Sequence, residues 1–177
     1  MSYLEFVEQL KSIEIPVEYY KEAGLNSEFI EEMIQRYNPP LKTCPMSFQY
    51  GDDEVIKLLK TYDAGKIEIG MVQFAPELAE VQNGIYIGKF EADELIIDKF
   101  SGEILCYEYG IDHLLWPCAS NGSMFLRALA EVARFLEKRA QDDALYNNDE
   151  LGYEVAKYCC KLAGGSKYCD FYTTMLT

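Results

Sequence analysis

The chain holds one histidine, His113, and one tryptophan, Trp116. A nucleophilic triad needs a base beside its nucleophile, and the sole imidazole here follows Asp112 directly in sequence. Adjacent side chains diverge in extended backbone, so Asp112-His113 makes no relay. A lone loop histidine of this kind reads as an ordinary surface residue. Zinc chemistry is equally short of ligands. Six cysteines, at 44, 106, 118, 159, 160 and 169, include no C-x-x-C pair, and there is no second histidine to complete a set. Phosphate-binding loops are missing too: neither G-x-x-x-x-G-K-[ST] nor a post-strand G-x-G-x-x-G occurs. Gly164-Gly165-Ser166-Lys167 shares residues with such a loop, but it follows a helical pattern, where helix termination explains it. No cofactor is expected. No run approaches about 18 consecutive apolar residues, so no membrane-spanning helix is expected. Met1-Ser2-Tyr3-Leu4-Glu5-Phe6 lacks the basic start and apolar stretch of a secretion leader. A cytoplasmic location with reduced, mostly buried thiols is the corresponding expectation.

Positive charge is scarce as well. Sixteen Lys and Arg stand against thirty Asp and Glu, a net charge of −14. The imbalance is uneven: residues 1–63 carry a net −6, residues 64–113 a net −7, and residues 114–177 only −1. Such a surface repels phosphate backbones and anionic lipid, so no nucleic acid and no membrane partner is expected. It attracts a basic protein, or it serves solubility alone. Apolar residues make up 49% and aromatics 14%, which places the chain among globular proteins. At 177 residues it reads as a single α+β domain, 1–177, that needs neither metal nor disulfide to hold a core. The tyrosine excess, 14 against 9 Phe, fits either a sheet or a binding face.

Ser2 and Glu5 have capping-box spacing ahead of Leu4, Val7 and Leu10, which predicts a first helix. Pro16 interrupts it or opens a second short piece ending near Gly24. Asn26-Ser27 begins a third helix carrying Phe29, Ile30, Met33, Ile34 and Tyr37, stopped by Asn38-Pro39-Pro40. Asp52-Asp53 caps a fourth, with Val55, Leu58, Leu59 and Tyr62 on one stripe. From Lys66 to Tyr109 the period becomes alternating. Strands are expected over 66–71, 85–90, 94–98 and 103–109, joined by short turns at Asn83-Gly84 and 99–102. Short turns demand antiparallel neighbours, hence a β-meander packed against N- and C-terminal helices. The helical period returns after Trp116-Pro117 with Phe125, Leu129, Val132 and Leu136, and Ser120 is the expected cap. Asn147-Asn148-Asp149 starts a further helix, and residues 147–177 read as a helical C-terminal extension.

Carboxylates are the one chemistry present in quantity. Glu91, Asp93, Glu94, Asp98, Glu103 and Glu108 lie within or between neighbouring strands. A pair of them in a pocket would serve a carboxylate-dependent hydrolase or hold a hard cation such as calcium. No spacing here matches a calcium loop, and alternation puts most of these acids on the solvated face.

The run from Ile87-Gly88-Lys89-Phe90 through Glu91-Ala92-Asp93-Glu94 to Leu95-Ile96-Ile97-Asp98 resembles the central strand pair of the SUKH superfamily. Ser101-Gly102-Glu103-Ile104 resembles that family's next turn and strand. Trp116-Pro117-Cys118-Ala119-Ser120, followed by Phe125-Leu126, resembles its approach to the late helix, with Asn121-Gly122-Ser123-Met124 loosening the spacing. Ile15-Pro16 stands for an "LP" segment, while the family's Asn-Gly-Gly turn has no counterpart before Asn83-Gly84. The resemblance covers roughly fifty residues and describes a divergent member. It implies helices against one antiparallel sheet, and a bacterial toxin-immunity protein that neutralises a cognate toxin, often a nuclease; a yeast cell-wall regulator shares the fold. It carries over no catalytic residue. The expected partner is therefore a basic toxin domain, bound through Glu91, Asp93, Glu94, Asp98, Glu103, Glu108 and Tyr107. A regulatory or scaffold module with another protein partner, and the hydrolase, are the alternatives.

Overall fold

The computed structural model describes residues 1–43, 51–146 and 148–177. Asn147, expected at the start of a helix, and Cys44 lie outside the described residues. Four helices open the chain: α1 (Tyr3–Lys11), α2 (Val17–Glu22), α3 (Ser27–Tyr37) and α4 (Glu54–Thr61). Their starts are set locally. Ser2 and Glu5 form the capping box of α1, Asn26 accepts from the Phe29 N–H at 2.8 Å, and Asp53 accepts from the Val55 N–H at 2.8 Å. Each such cap satisfies donors that the first helical turn leaves without intrahelical partners.

Six strands follow: β1 (Glu68–Ile69), β2 (Val72–Val81), β3 (Gly84–Phe90), β4 (Asp93–Asp98), β5 (Ile104–Tyr107) and β6 (Leu114–Ala119). They form one antiparallel sheet in sequence order, the expected meander. Two strands exceed the expectation, β2 and β6. The strand expected over 66–71 is reduced to β1, because Gly70 (φ 58°) reverses the chain at once into β2. β6 occupies the stretch taken as the approach to the late helix, so the cap moves by one residue. Asn121, not Ser120, accepts the Met124 N–H at 3.0 Å and begins α5 (Gly122–Gln141). α6 (Asp143–Tyr146), α7 (Asp149–Ala163) and α8 (Cys169–Leu176) complete the chain.

The helices cover one face of the sheet. Phe74, Ile87, Leu95, Ile97, Ile104 and Cys106 from the strands share a buried cluster with Phe6, Leu58, Phe125, Leu129 and Phe171 from the helices. α7 and α8 pack tightly onto this arrangement. Phe171 lies 4.8 Å from Phe90 and 6.2 Å from Phe125, ring centre to ring centre, and the Tyr172 hydroxyl donates to the Cys118 carbonyl at 3.0 Å. Cys160 at the end of α7 is disulfide-bonded to Cys169 at the start of α8, across a Cα–Cα distance of 4.9 Å. The expectation of reduced thiols is thus corrected for this pair: the Gly164-Gly165 turn folds the chain back and brings the two together. Cys106, Cys118 and Cys159 remain free and buried. Burial pushes their thiols up, to about 12 for Cys106 and Cys159, so none is a ready nucleophile. No helix among the described residues is long and apolar enough to cross a membrane.

Candidate functional site

The other face of the sheet is where the carboxylates collect. Along β4, Leu95 and Ile97 belong to the core, so Glu94, Ile96 and Asp98 point to the opposite side. Ile96 pairs with Tyr86 on β3 and Leu105 on β5, and Glu94 pairs with Lys89 and Tyr107. Ile96 and Leu105 are buried yet lie outside the main core cluster. They make a second, thin apolar row under the outer face.

Two loops rise beside this row and turn it into a groove of about 410 Å³. One wall is the β2–β3 turn, Val81-Gln82-Asn83; the other is the β5–β6 loop, Tyr109-Gly110-Ile111-Asp112; Glu94, Ile96 and Tyr107 lie between. Asn83 Nδ2 donates to Asp112 Oδ1 at 2.6 Å and ties the walls together. The loop is braced at its base. The Tyr109 N–H donates to Asp93 Oδ1 at 3.1 Å, the Glu108 N–H to the His113 carbonyl at 3.0 Å, and the His113 ring lies 3.3 Å from Glu108 Oε2. His113 therefore holds a loop closed, with its side chain 65% exposed. Tyr109 and Ile111 in this loop and Leu114 at the start of β6 are exposed large apolar residues.

The seven sequence-predicted residues divide by what they already touch. Glu94 and Tyr107 line the groove. Among the described residues, Glu94 makes no ion pair, although Lys89 faces it in register. Burial, then the charges of Asp98 and Asp112, push the Tyr107 hydroxyl above its ordinary range. Asp93 and Glu108 brace the loop from below. Glu91 sits exposed in the β3–β4 turn, with the Glu91 N–H donating to the Met71 carbonyl at 2.8 Å.

Asp98 and Glu103 are occupied elsewhere. Asp98 Oδ1 accepts from the Phe100 N–H at 3.1 Å and from both the N–H and hydroxyl of Ser101 at 2.7 Å. Burial works against its charge, but the Ser101 and Phe100 donors prevail and hold the carboxyl below its ordinary range. Glu103 Oε1 accepts from Lys167 Nζ at 2.5 Å and the Tyr168 hydroxyl at 2.7 Å, which pins the turn before α8 to the sheet. The Lys167 and then the Tyr168 hydrogen bond lower its pKa.

Asn83, Ile96, Tyr109, Ile111 and Asp112 belong to the groove without having been singled out. The available signal was the Tyr109-Gly110-Ile111-Asp112 loop itself, with two large apolar residues where a polar turn is usual. Among the described residues no cluster of three or more His, Cys, Asp or Glu is placed to hold a metal ion. Set against protein-family models, curated proteins and solved structures, the chain matches none.

Proposed function

We propose that this chain is a toxin-immunity protein of SUKH type that binds and neutralises a basic toxin domain through the outer face of its sheet. The observation that carries the reading is the groove between the β2–β3 turn and the β5–β6 loop, where Glu94 and Asp112 accompany Ile96, Tyr107 and Tyr109. That mixture suits an arginine or lysine of a partner. Carboxylates take the cationic head, and aromatic and aliphatic surface takes the stem. The exposed Tyr109, Ile111 and Leu114 beside it supply the apolar centre that a specific interface needs. The surrounding net charge of −14 steers a basic domain towards the face and makes association fast and salt-sensitive.

The hydrolase reading draws on one feature, that Glu94 and Asp112 share a concavity. Asp112 is exposed and already accepts from Asn83, whereas a catalytic acid needs a desolvated carboxyl kept protonated near neutrality.

The test is a pull-down from the native organism followed by co-expression. A basic protein should be recovered in stoichiometric amount, should arrest growth when expressed alone, and should be silenced by this chain. Glu94→Lys should abolish rescue while the variant stays folded. Binding that ignores ionic strength, or a partner that is harmless alone, overturns the proposal; hydrolysis of a glycoside lost in Glu94→Gln would select the hydrolase instead.

A further inference from the structure

Large apolar side chains stand exposed along α2, α3 and the turn between them: Tyr19 at 58%, Leu25 at 39%, Phe29 at 40% and Ile34 at 38%. The six-residue α2 buries none of its side chains, and α3 buries only Ile30 and Tyr37. Between the end of α1 and α3 runs a groove of about 360 Å³, lined by Lys11, Ile13, Ile15, Ile34, Tyr37 and Asn38. Single exposed apolar residues are normal on a protein surface. Four on consecutive elements, next to an apolar groove, mark a face left uncovered among the described residues.

The charge around this face is mostly negative. Residues 14–36 carry six glutamates against Lys21 and Arg36. Both bases are engaged, Lys21 with Glu18 at 2.8 Å and Arg36 with Glu68 at 3.4 Å. Glu14, Glu22, Glu28, Glu31 and Glu32 are exposed and meet no base within ion-pair distance among the described residues. Behind the groove, the Tyr37 hydroxyl donates to Glu137 Oε1 at 2.8 Å; Glu137 is 7% exposed, and its Oε2 has no donor among the described residues. Another carboxylate thus stands beneath the face.

We propose that this surface docks a cationic amphipathic helix of a partner protein. Its apolar side would lie on Leu25, Phe29 and Ile34 with side chains entering the groove, and its flanking Lys and Arg would meet the five unpaired glutamates. Among the described residues no strand residue lines the groove, so an extended peptide would find no backbone ladder to join. A helix satisfies its own backbone and needs only an apolar strip between charged margins. The surface shares no lining residue with the groove on the sheet and stands independently of the toxin reading.

The experiment is an NMR titration of the full chain with a synthetic helix bearing a leucine face and a lysine face, compared with the same peptide carrying glutamate for lysine. The lysine peptide should give saturable shifts at the amides of Ile15, Phe29 and Ile34, and the glutamate peptide none. The exposed double variant Glu31→Lys/Glu32→Lys should weaken binding roughly tenfold without touching the core. Ile34→Glu should abolish binding, and Glu94→Lys should leave it unchanged. Absence of saturable shifts, shifts that map onto the outer sheet groove, or unchanged affinity in the double lysine variant overturns the inference.

Discussion

Asp53 accepts a hydrogen bond from the Gly122 N–H at 2.8 Å while capping its own helix through the Val55 N–H at 2.8 Å. One carboxylate therefore serves the N-termini of both α4 and α5, joining two residues 69 apart in sequence. The arrangement depends on glycine. A Cβ at position 122 would lie 2.0 Å from Asp53 Oδ1 and 2.6 Å from its Cγ. Gly122→Ala must expel the carboxylate and leave donors of both helix ends unpaired, and a loss of about 2–4 kcal/mol in urea denaturation is expected. Asp53→Ala should cost a similar amount, and Asp53→Asn less, because an amide oxygen still caps.

The acid side of the stability curve should answer to Glu103. Its folded pKa is lowered by Lys167 and Tyr168, so its contribution is complete above the unfolded value near 4.5 and is lost as pH falls through the folded value. Asp53 has the opposite sign. Burial raises its pKa above 3.8, so its proton is held more tightly in the folded state, and its own contribution grows as pH falls towards 3.8. Glu103→Gln should lower stability near neutrality and flatten the decline below about pH 4.5, measured by thermal melts against pH. Because its carboxylate is already taken by Lys167 and Tyr168, this variant should leave the proposed binding of a basic partner intact.

Glu91 occupies the left-handed region at φ 54°, the one non-glycine residue to do so among the described residues. An L-residue there carries a cost of about 1–2 kcal/mol, which glycine relieves while adding freedom to the unfolded chain. Glu91→Gly should therefore raise the midpoint of denaturation by the equivalent of about 0.5–1 kcal/mol, and Glu91→Val should lower it. The bond from the residue 91 N–H to the Met71 carbonyl is available to either variant.

Elements governed by local chemistry were legible in the sequence. Ser2 with Glu5, Asn26 and Asp53 announce helices because each cap acts within three residues. Asn83-Gly84 and Ser101-Gly102 announce the turns that lead into β3 and β5 for the same reason. β2 was hidden because its pairing slips between Phe74 and Ala79, around Pro76, which breaks the two-residue alternation. β6 was hidden because Leu114–Ala119 is an apolar run containing Pro117, tolerable only because this strand lies at the sheet edge. The groove depends on Asn83 meeting Asp112, 29 residues away, and no local period encodes that contact. The sequence placed Glu94 and Tyr107 on the correct strands, but it could not separate them from Asp98 and Glu103, whose partners come from a turn and from the α7–α8 connection.

Tyr37 and Glu137 are bound to each other inside the protein, and the pair makes unequal demands on stability. The Tyr37 hydroxyl is the one donor, among the described residues, to a carboxylate that is 7% exposed, and burial followed by the Glu137 charge pushes that hydroxyl far above its ordinary range. Tyr37→Phe keeps the ring but leaves Glu137 without a donor among the described residues. Stranding a buried acceptor in this way should cost about 1–3 kcal/mol. Removing the acid has a different consequence. Glu137→Met fills a similar volume on α5, leaves only a phenol to be satisfied, and should be neutral or stabilising. The double variant Tyr37→Phe/Glu137→Met should then recover most of what Tyr37→Phe loses, giving a large coupling in a double-mutant cycle followed by urea denaturation. If the effects of the two single variants simply add, the carboxylate is satisfied in solution by something other than Tyr37, such as water entering along the α1–α3 groove.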